Sequence, residues 1–161
     1  MVVIEELSKF NPSVGTAVLA SLARRCPPLD VHTSYTYWVL AEYAGKSSFI
    51  LRDTDSDENI GFITSAVIDG CGFIWQIGIL PKHRGFGYSK LLIEAASEYL
   101  LEHVDGGIQV TIADDNKASF CAFASFCAEH GYTMEKTGVS VVSVDGVEHR
   151  ETIYAIAAFA K

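Results

Sequence analysis

The chain has 161 residues, of which 49% are apolar and 20% charged, and its 12 Lys and Arg against 20 Asp and Glu give a formal charge of −8. That length suits one hydrophobic core, and one domain is expected over residues 1–161. The acidic balance argues against nucleic acid or an anionic membrane as a partner, because both attract basic surfaces, and no apolar run is long enough to cross a bilayer.

Asn11 followed by Pro12 reads as a helix entry, and Val14, Val18 and Leu22 then repeat at helical spacing to about Arg24. Pro27 and Pro28 end that helix and force a turning segment through Leu29 and Asp30. Thr33 or Ser34 can cap a second, short helix reaching Tyr43. Ser48 to Asp53 reads as a strand, DTDSDEN as a hairpin turn, and Ile60 to Ile68 as the next strand. Asp69, Gly70 and Gly72 mark another turn, and Phe73 to Leu80 is an apolar, β-favouring run placed centrally in a sheet.

From Tyr88 to His103, Leu91, Leu92, Ala95, Ala96, Tyr99 and Leu100 form the stripe of an amphipathic helix. Ile108 to Ala113 reads as a strand and Asn116 to Glu129 as a helix closed by Gly131. Two strands, about Thr133 to Val144 and His149 to Ala157, turn at Asp145 and Gly146. This order of elements gives an α+β, or mixed α/β, sheet. Four cysteines, Cys26, Cys71, Cys121 and Cys127, lack metal-ligand spacing and read as buried thiols, so no metal site is expected. The start MVVIEELSKFNP resembles no secretory signal, and a cytoplasmic location is expected.

Lys82, His83, Arg84 and Lys90 fall within nine residues of an otherwise acidic chain. They surround LPKHRGFGYSKLL, where a strand ends, a glycine loop turns and a helix begins. A helix N-terminus offers unpaired N–H groups and a positive dipole end, and Gly85 and Gly87 let backbone approach a ligand closely. A pyrophosphate cradle is the expectation. The nucleoside-triphosphate pattern GxxxxGK[ST] and the dinucleotide pattern GxGxxG are both missing.

The run Arg84, Gly85, Phe86, Gly87, Tyr88, Ser89 resembles the acetyl-coenzyme A signature [QR]xxGx[GA] of the GCN5-related N-acetyltransferases, with Ser89 replacing the usual Gly or Ala. DDNKASFCAFASFCAEHGY resembles a later part of the same family pattern, in which Asn116 meets the pantetheine arm and Ser119 faces the cofactor. The resemblance implies a GNAT fold: a mostly antiparallel twisted sheet, flanked by helices and splayed around a cofactor cleft. It also implies backbone contacts from Ile77 and Ile79 to the acetyl and pantetheine groups. Phe123 stands where many members carry a Tyr that protonates the departing thiolate, which a phenyl ring cannot do. His83, beside the pyrophosphate loop, is too far from the acetyl end for proton transfer, and a phosphate or solvent contact is expected.

RCPPLDVHTSYTYWVL, FIWQIGILP, TIADDNKAS and GVEHRETIYAI together resemble the diaminobutyrate acetyltransferases of ectoine biosynthesis within that family. This resemblance implies acetyl transfer to the side-chain amine of L-2,4-diaminobutyrate, a homodimer, and no metal. It points to Asp30, Tyr35, His149 and Glu151 as catalytic or proton-handling groups, and to Trp75, Gln76, Thr111 and Glu148 as substrate contacts. Carboxylates suit both the removal of a proton and the holding of an ammonium, and Trp75 over a cation would add a cation–π attraction. Another small amine, such as a polyamine, a lysine-like amino acid or an aminoglycoside, stays open as substrate. A non-catalytic acetyl-coenzyme A sensor stays open as well.

Overall fold

A computed structural model describes residues 1–158. Strand β1 (Val2–Glu6) leads through a 3-10 turn to helix α1 (Pro12–Arg25), whose first turn is closed by the Asn11 side chain accepting from the Ser13 amide at 2.9 Å. The α1 face that enters the core is Gly15, Leu19, Leu22 and Ala23, so Val14 of the expected stripe points to solvent. Thr33 caps α2 (Ser34–Tyr43) by accepting from Thr36 N–H at 3.2 Å, and Tyr37 is its buried aromatic. There follow β2 (Phe49–Asp53), β3 (Glu58–Ile68), β4 (Cys71–Ile79) and α3 (Tyr88–His103). The chain then forms β5 (Ile108–Ile112), α4 (Lys117–His130), β6 (Tyr132–Val144) and β7 (Val147–Ala158).

Among the described residues, seven strands form one sheet in the order β1-β2-β3-β4-β5-β7-β6, in which only the β4–β5 pair is parallel. Strand β1 was not expected: VVIEE offers no polar alternation, and its partner β2 lies more than forty residues away in the chain. Both faces of the central strands are covered. Phe62 and Gly78 are cross-strand partners facing the end of α1, where a Cβ on Gly78 would meet Cys26 at 3.2 Å. The adjoining pair, Gly61 and Ile79, faces Leu92 of α3 on the other side. Residues Ile60 to Ser65 of β3 are accordingly all buried.

Two irregularities in β4 create the site. Thr64 of β3 pairs with Gln76 and Ser65 pairs with Ile74, so Trp75 is the extra residue of a β-bulge. A one-residue slip reverses the faces of every later side chain. Gly72, ahead of the bulge, packs on Leu100 of α3, whereas Gly78, beyond it, faces α1. The parallel pairing with β5 also runs only from Gly72–Ile108 to Ile74–Val110. Past that point β5 stays with β7 as far as Ile112–Thr152, and β4 continues to Ile79 paired with β3 but not with β5. The sheet therefore opens into a wedge between the two strands.

Among the cysteines, Cys26 and Cys127 are buried, Cys71 is half-buried, and Cys121 lies exposed on α4, contrary to the expectation of a buried thiol there. Helix α4 turns Phe123, Phe126 and Cys127 to the core, which leaves position 121 on the outward face.

Candidate active site

The wedge holds a cavity of about 230 Å³. Trp75, Gln76 and Ile77 form its β4 wall, Thr111 and Ile112 its β5 wall, and Ser119 and Phe123 of α4 close one side. Asp30 and His32, from the segment between α1 and α2, and Glu151 of β7 bring ionisable groups to it. The bulge explains the β4 wall: Trp75 is pushed outward, 41% exposed, with its ring 5.0 Å from the His32 imidazole, while Gln76 turns inward.

Gln76 organises the segment opposite. Its Nε2 donates to the Asp30 carbonyl at 2.7 Å, and its Oε1 accepts from the Tyr37 hydroxyl at 3.2 Å. The same hydroxyl oxygen accepts from the His32 backbone N–H at 3.2 Å. Both side chains are buried, so each polar atom needs this partner, and the Asp30–His32 backbone is fixed against β4 as a result. On the far wall, Thr152 Oγ1 donates to Asp114 at 2.5 Å, tying β7 beside Glu151 to the turn that enters α4. The Asn116 Oδ1 caps α4 by accepting from the Ser119 amide at 3.2 Å, which leaves its side-chain Nδ2 as a donor for a ligand.

The loop after β4 has the geometry of an anion cradle. Gly85 and Gly87 have φ of +84° and +79°, the second forming the left-handed N-cap of α3. Arg84 N–H donates to Pro81 and Lys90 N–H to Gly87, but the amides of residues 85–89 donate to no backbone carbonyl. A Cβ at either glycine would meet no protein atom within 4 Å, so the space before these amides is open to a ligand. A diphosphate fits such a row of donors at a helix N-terminus. A further cavity of about 500 Å³ opens beside Gly87, between the start of α3 and the end of α4.

The cations around this loop are mostly engaged. Lys82 pairs with Glu58 at 2.7 Å and Lys90 with Glu129 at 2.5 Å. These contacts hold both carboxyls below the usual range: Lys82 and then Arg25 act on Glu58, and Lys90 acts on Glu129. Arg84, expected on the phosphate, donates instead from Nε to the Ile79 carbonyl at 2.9 Å and from Nη2 to the Pro27 carbonyl at 2.7 Å. Burial pushes the nearby Cys26 thiol up, with the Arg84 and Arg25 charges opposing.

Asp30, Trp75, Gln76, Ile77, Thr111, Asn116, Ser119, Phe123 and Glu151 thus converge on one cavity. Phe86, Tyr88 and Ser89 lie on the loop and the first turn of α3, with the Phe86 and Tyr88 rings stacked at 5.8 Å. Four expected residues stay outside. Ile79 does not line the cavity: its side chain sits by Gly61 and Leu92, and its carbonyl accepts from Arg84. Tyr35 is 71% exposed and stacks on Trp38 at 5.8 Å, because the helical turn that buries Tyr37 points its second neighbour outward. His149 and Glu148 are exposed, paired across the hairpin with Val142 and Ser143 beyond the end of β5. His32 was missed: its signal is a titratable side chain between Asp30 and the Thr33 cap. Among the described residues, no cluster of three or more His, Cys, Asp or Glu is arranged to hold a metal, and no helix is long and apolar enough to cross a membrane.

The profile of the acetyltransferase (GNAT) family matches residues 16–132, from α1 through the cleft to α4. The chain belongs to that family. Among curated GNAT relatives, L-2,4-diaminobutyric acid acetyltransferase of Halomonas elongata is 30% identical over 73% of this chain, and the match spans 62% of that protein's length. The protein of the same name from Nocardia farcinica is 28% identical, with 98% of this chain and 89% of the relative covered. A solved structure of diaminobutyrate acetyltransferase from Paenibacillus lautus, in complex with its substrate L-2,4-diaminobutyric acid and coenzyme A, superposes with a TM-score of 0.83. It covers 100% of this chain and 97% of that one at 22% identity, a likeness of fold. Among the described residues the GNAT fold is a seven-stranded, mostly antiparallel sheet flanked by four helices.

Proposed function

We propose that the protein transfers the acetyl group of acetyl-coenzyme A to the N4 amine of L-2,4-diaminobutyrate, a reading supported by its similarity to proteins named L-2,4-diaminobutyric acid acetyltransferase. The observation that carries the reading is the juxtaposition in one wedge of Asp30, Glu151 and the Trp75 ring, with, on the loop following β4, a row of amides that pair with no backbone carbonyl. A diamine needs an anionic wall, and a thioester needs a slot that ends near a diphosphate cradle; this arrangement supports both.

In the proposed reaction, backbone amides of residues 85–89 hold the diphosphate, and Ile77, Asn116 and Ser119 line the path of the pantetheine arm. Asp30 and Glu151 hold the substrate's ammonium and carry away the proton that the attacking amine must lose, its reference pKa lying near ~10.4. The neutral nitrogen attacks the thioester carbonyl, an amide bond forms and the C–S bond breaks. With Phe123 at the position that many family members fill with Tyr, the thiolate, of reference pKa near ~8.5, takes its proton from the ammonium intermediate or from water. The product feeds ectoine synthesis and osmoadaptation in the cytoplasm, and a homodimer brings the exposed hairpin end carrying Glu148 and His149 to a partner.

Thiol release with acetyl-coenzyme A and a panel of L-2,4-diaminobutyrate, ornithine, lysine and spermidine tests this, followed by locating the acetyl group. The reading requires a strong preference for diaminobutyrate and the N4 product. Turnover of another amine in its place, or acetylation at the α-amine, sinks it.

A further inference from the structure

Arg84 occupies the signature position beside the cradle, but its two donating nitrogens address two separate stretches of backbone. The Ile79 carbonyl, which takes Nε, ends β4; the Pro27 carbonyl, which takes Nη2, opens the segment that carries Asp30 and His32. At its other end that segment is held by Gln76, again from β4. The residues between Pro27 and His32 are therefore fastened at two points, with Asp30 close to the second and the glycine loop directly attached to the first. The fixed fork of a guanidinium is what allows one side chain to satisfy acceptors in two directions.

We propose that Arg84 is a positioning residue for the amine site, clamping the Pro27–His32 segment to the coenzyme loop, and that the diphosphate is left to the loop's backbone amides. The inference rests on the proposed acetyl transfer. Its chemistry separates charge from geometry. A lysine at 84 keeps a cation beside the cradle, yet its single nitrogen lacks the planar fork that spans both carbonyls.

The test compares wild type with R84K and R84A by calorimetry with acetyl-coenzyme A, by amine KM, and by amide hydrogen exchange over residues 27–32. Both variants should raise the diaminobutyrate KM about tenfold, the scale of one lost charge-assisted hydrogen bond, while R84K keeps its acetyl-coenzyme A Kd within about twofold. Exchange at the Leu29 and His32 amides should accelerate in both, a readout independent of turnover. A higher coenzyme Kd in R84K with amine KM and exchange at wild-type values would overturn the clamp. Failure of wild type to use diaminobutyrate would instead strike the functional reading, with the exchange arm still deciding whether Arg84 clamps the segment.

Discussion

Ile74 and Gln76 lie two residues apart in β4 yet pair with the adjacent β3 residues Ser65 and Thr64, so the bulge at Trp75 turns them to opposite faces of the sheet. Gln76 is thereby delivered to Tyr37 and the Asp30 carbonyl. Gln76→Leu keeps the volume and removes both hydrogen bonds. The buried Tyr37 hydroxyl loses its acceptor and the Asp30 carbonyl its donor, which should cost about 1 to 3 kcal/mol, or roughly 3 to 10 °C in Tm, together with a raised amine KM. A variant that melts with wild type and binds the amine normally would show that the bracket holds nothing.

Gly87 combines a left-handed φ of +79° with empty space where a Cβ would stand. Gly87→Ala pays about 1 to 2 kcal/mol for the backbone and thrusts a methyl towards the ligand side of the cradle. Gly70, at φ +76° and equally open, lies at the β3–β4 turn and supplies the control. Similar losses of Tm are expected in the two variants, but only Gly87→Ala should weaken acetyl-coenzyme A binding, by more than about tenfold in a titration. Equal affinities in both would remove the loop from the diphosphate site.

Local signals served the sequence well wherever punctuation was strong. Asn11-Pro12, Gly87 before Tyr88, and Gly131 mark helix ends that the structure reproduces within a residue or two. The cleft was legible in part: the strand before the first signature segment brings Ile77, and the second segment brings Ser119 and Phe123, to one cavity. Long-range geometry was not. Strand β1 exists by pairing with β2 across the whole helical hairpin, and the Trp75 bulge is a register event between two strands, invisible to periodicity in either. Arg84 shows the same limit: its residue type and motif position suggest a phosphate, while its partners depend on where Pro27 lands in space.

Phe123 is 1% exposed and lines the cleft, and the family resemblance implies that many members carry a thiolate-protonating Tyr at this position. Restoring the hydroxyl with Phe123→Tyr should alter kcat by less than about threefold, because a thiol of reference pKa near ~8.5 departs acceptably unaided at neutral pH. Steady-state rates at saturating diaminobutyrate check this. A large acceleration, accompanied by a new basic limb in the pH profile, would mean that thiolate protonation limits the native enzyme.

The packing of α3 on α4 carries two ion pairs of opposite pH sense. Glu94, with help from the Phe126 carbonyl, raises the His130 pKa above its ordinary value, and Lys90 lowers that of Glu129. His130 therefore contributes stability that is complete below about pH 6.5 and is lost as pH rises through its higher folded value. Glu129 contributes stability that is present above about pH 4.3 and is lost as pH falls through its lower folded value. The Tm difference between wild type and His130→Gln should accordingly be largest near pH 5.5 and shrink towards pH 8.5. Lys90→Met should instead lower Tm at pH 6, with the deficit shrinking as pH falls towards about 4 and below. Thermal melts across that range decide the matter: a His130→Gln deficit that grows with pH contradicts the Glu94 pairing, since only a group with a depressed pKa behaves that way.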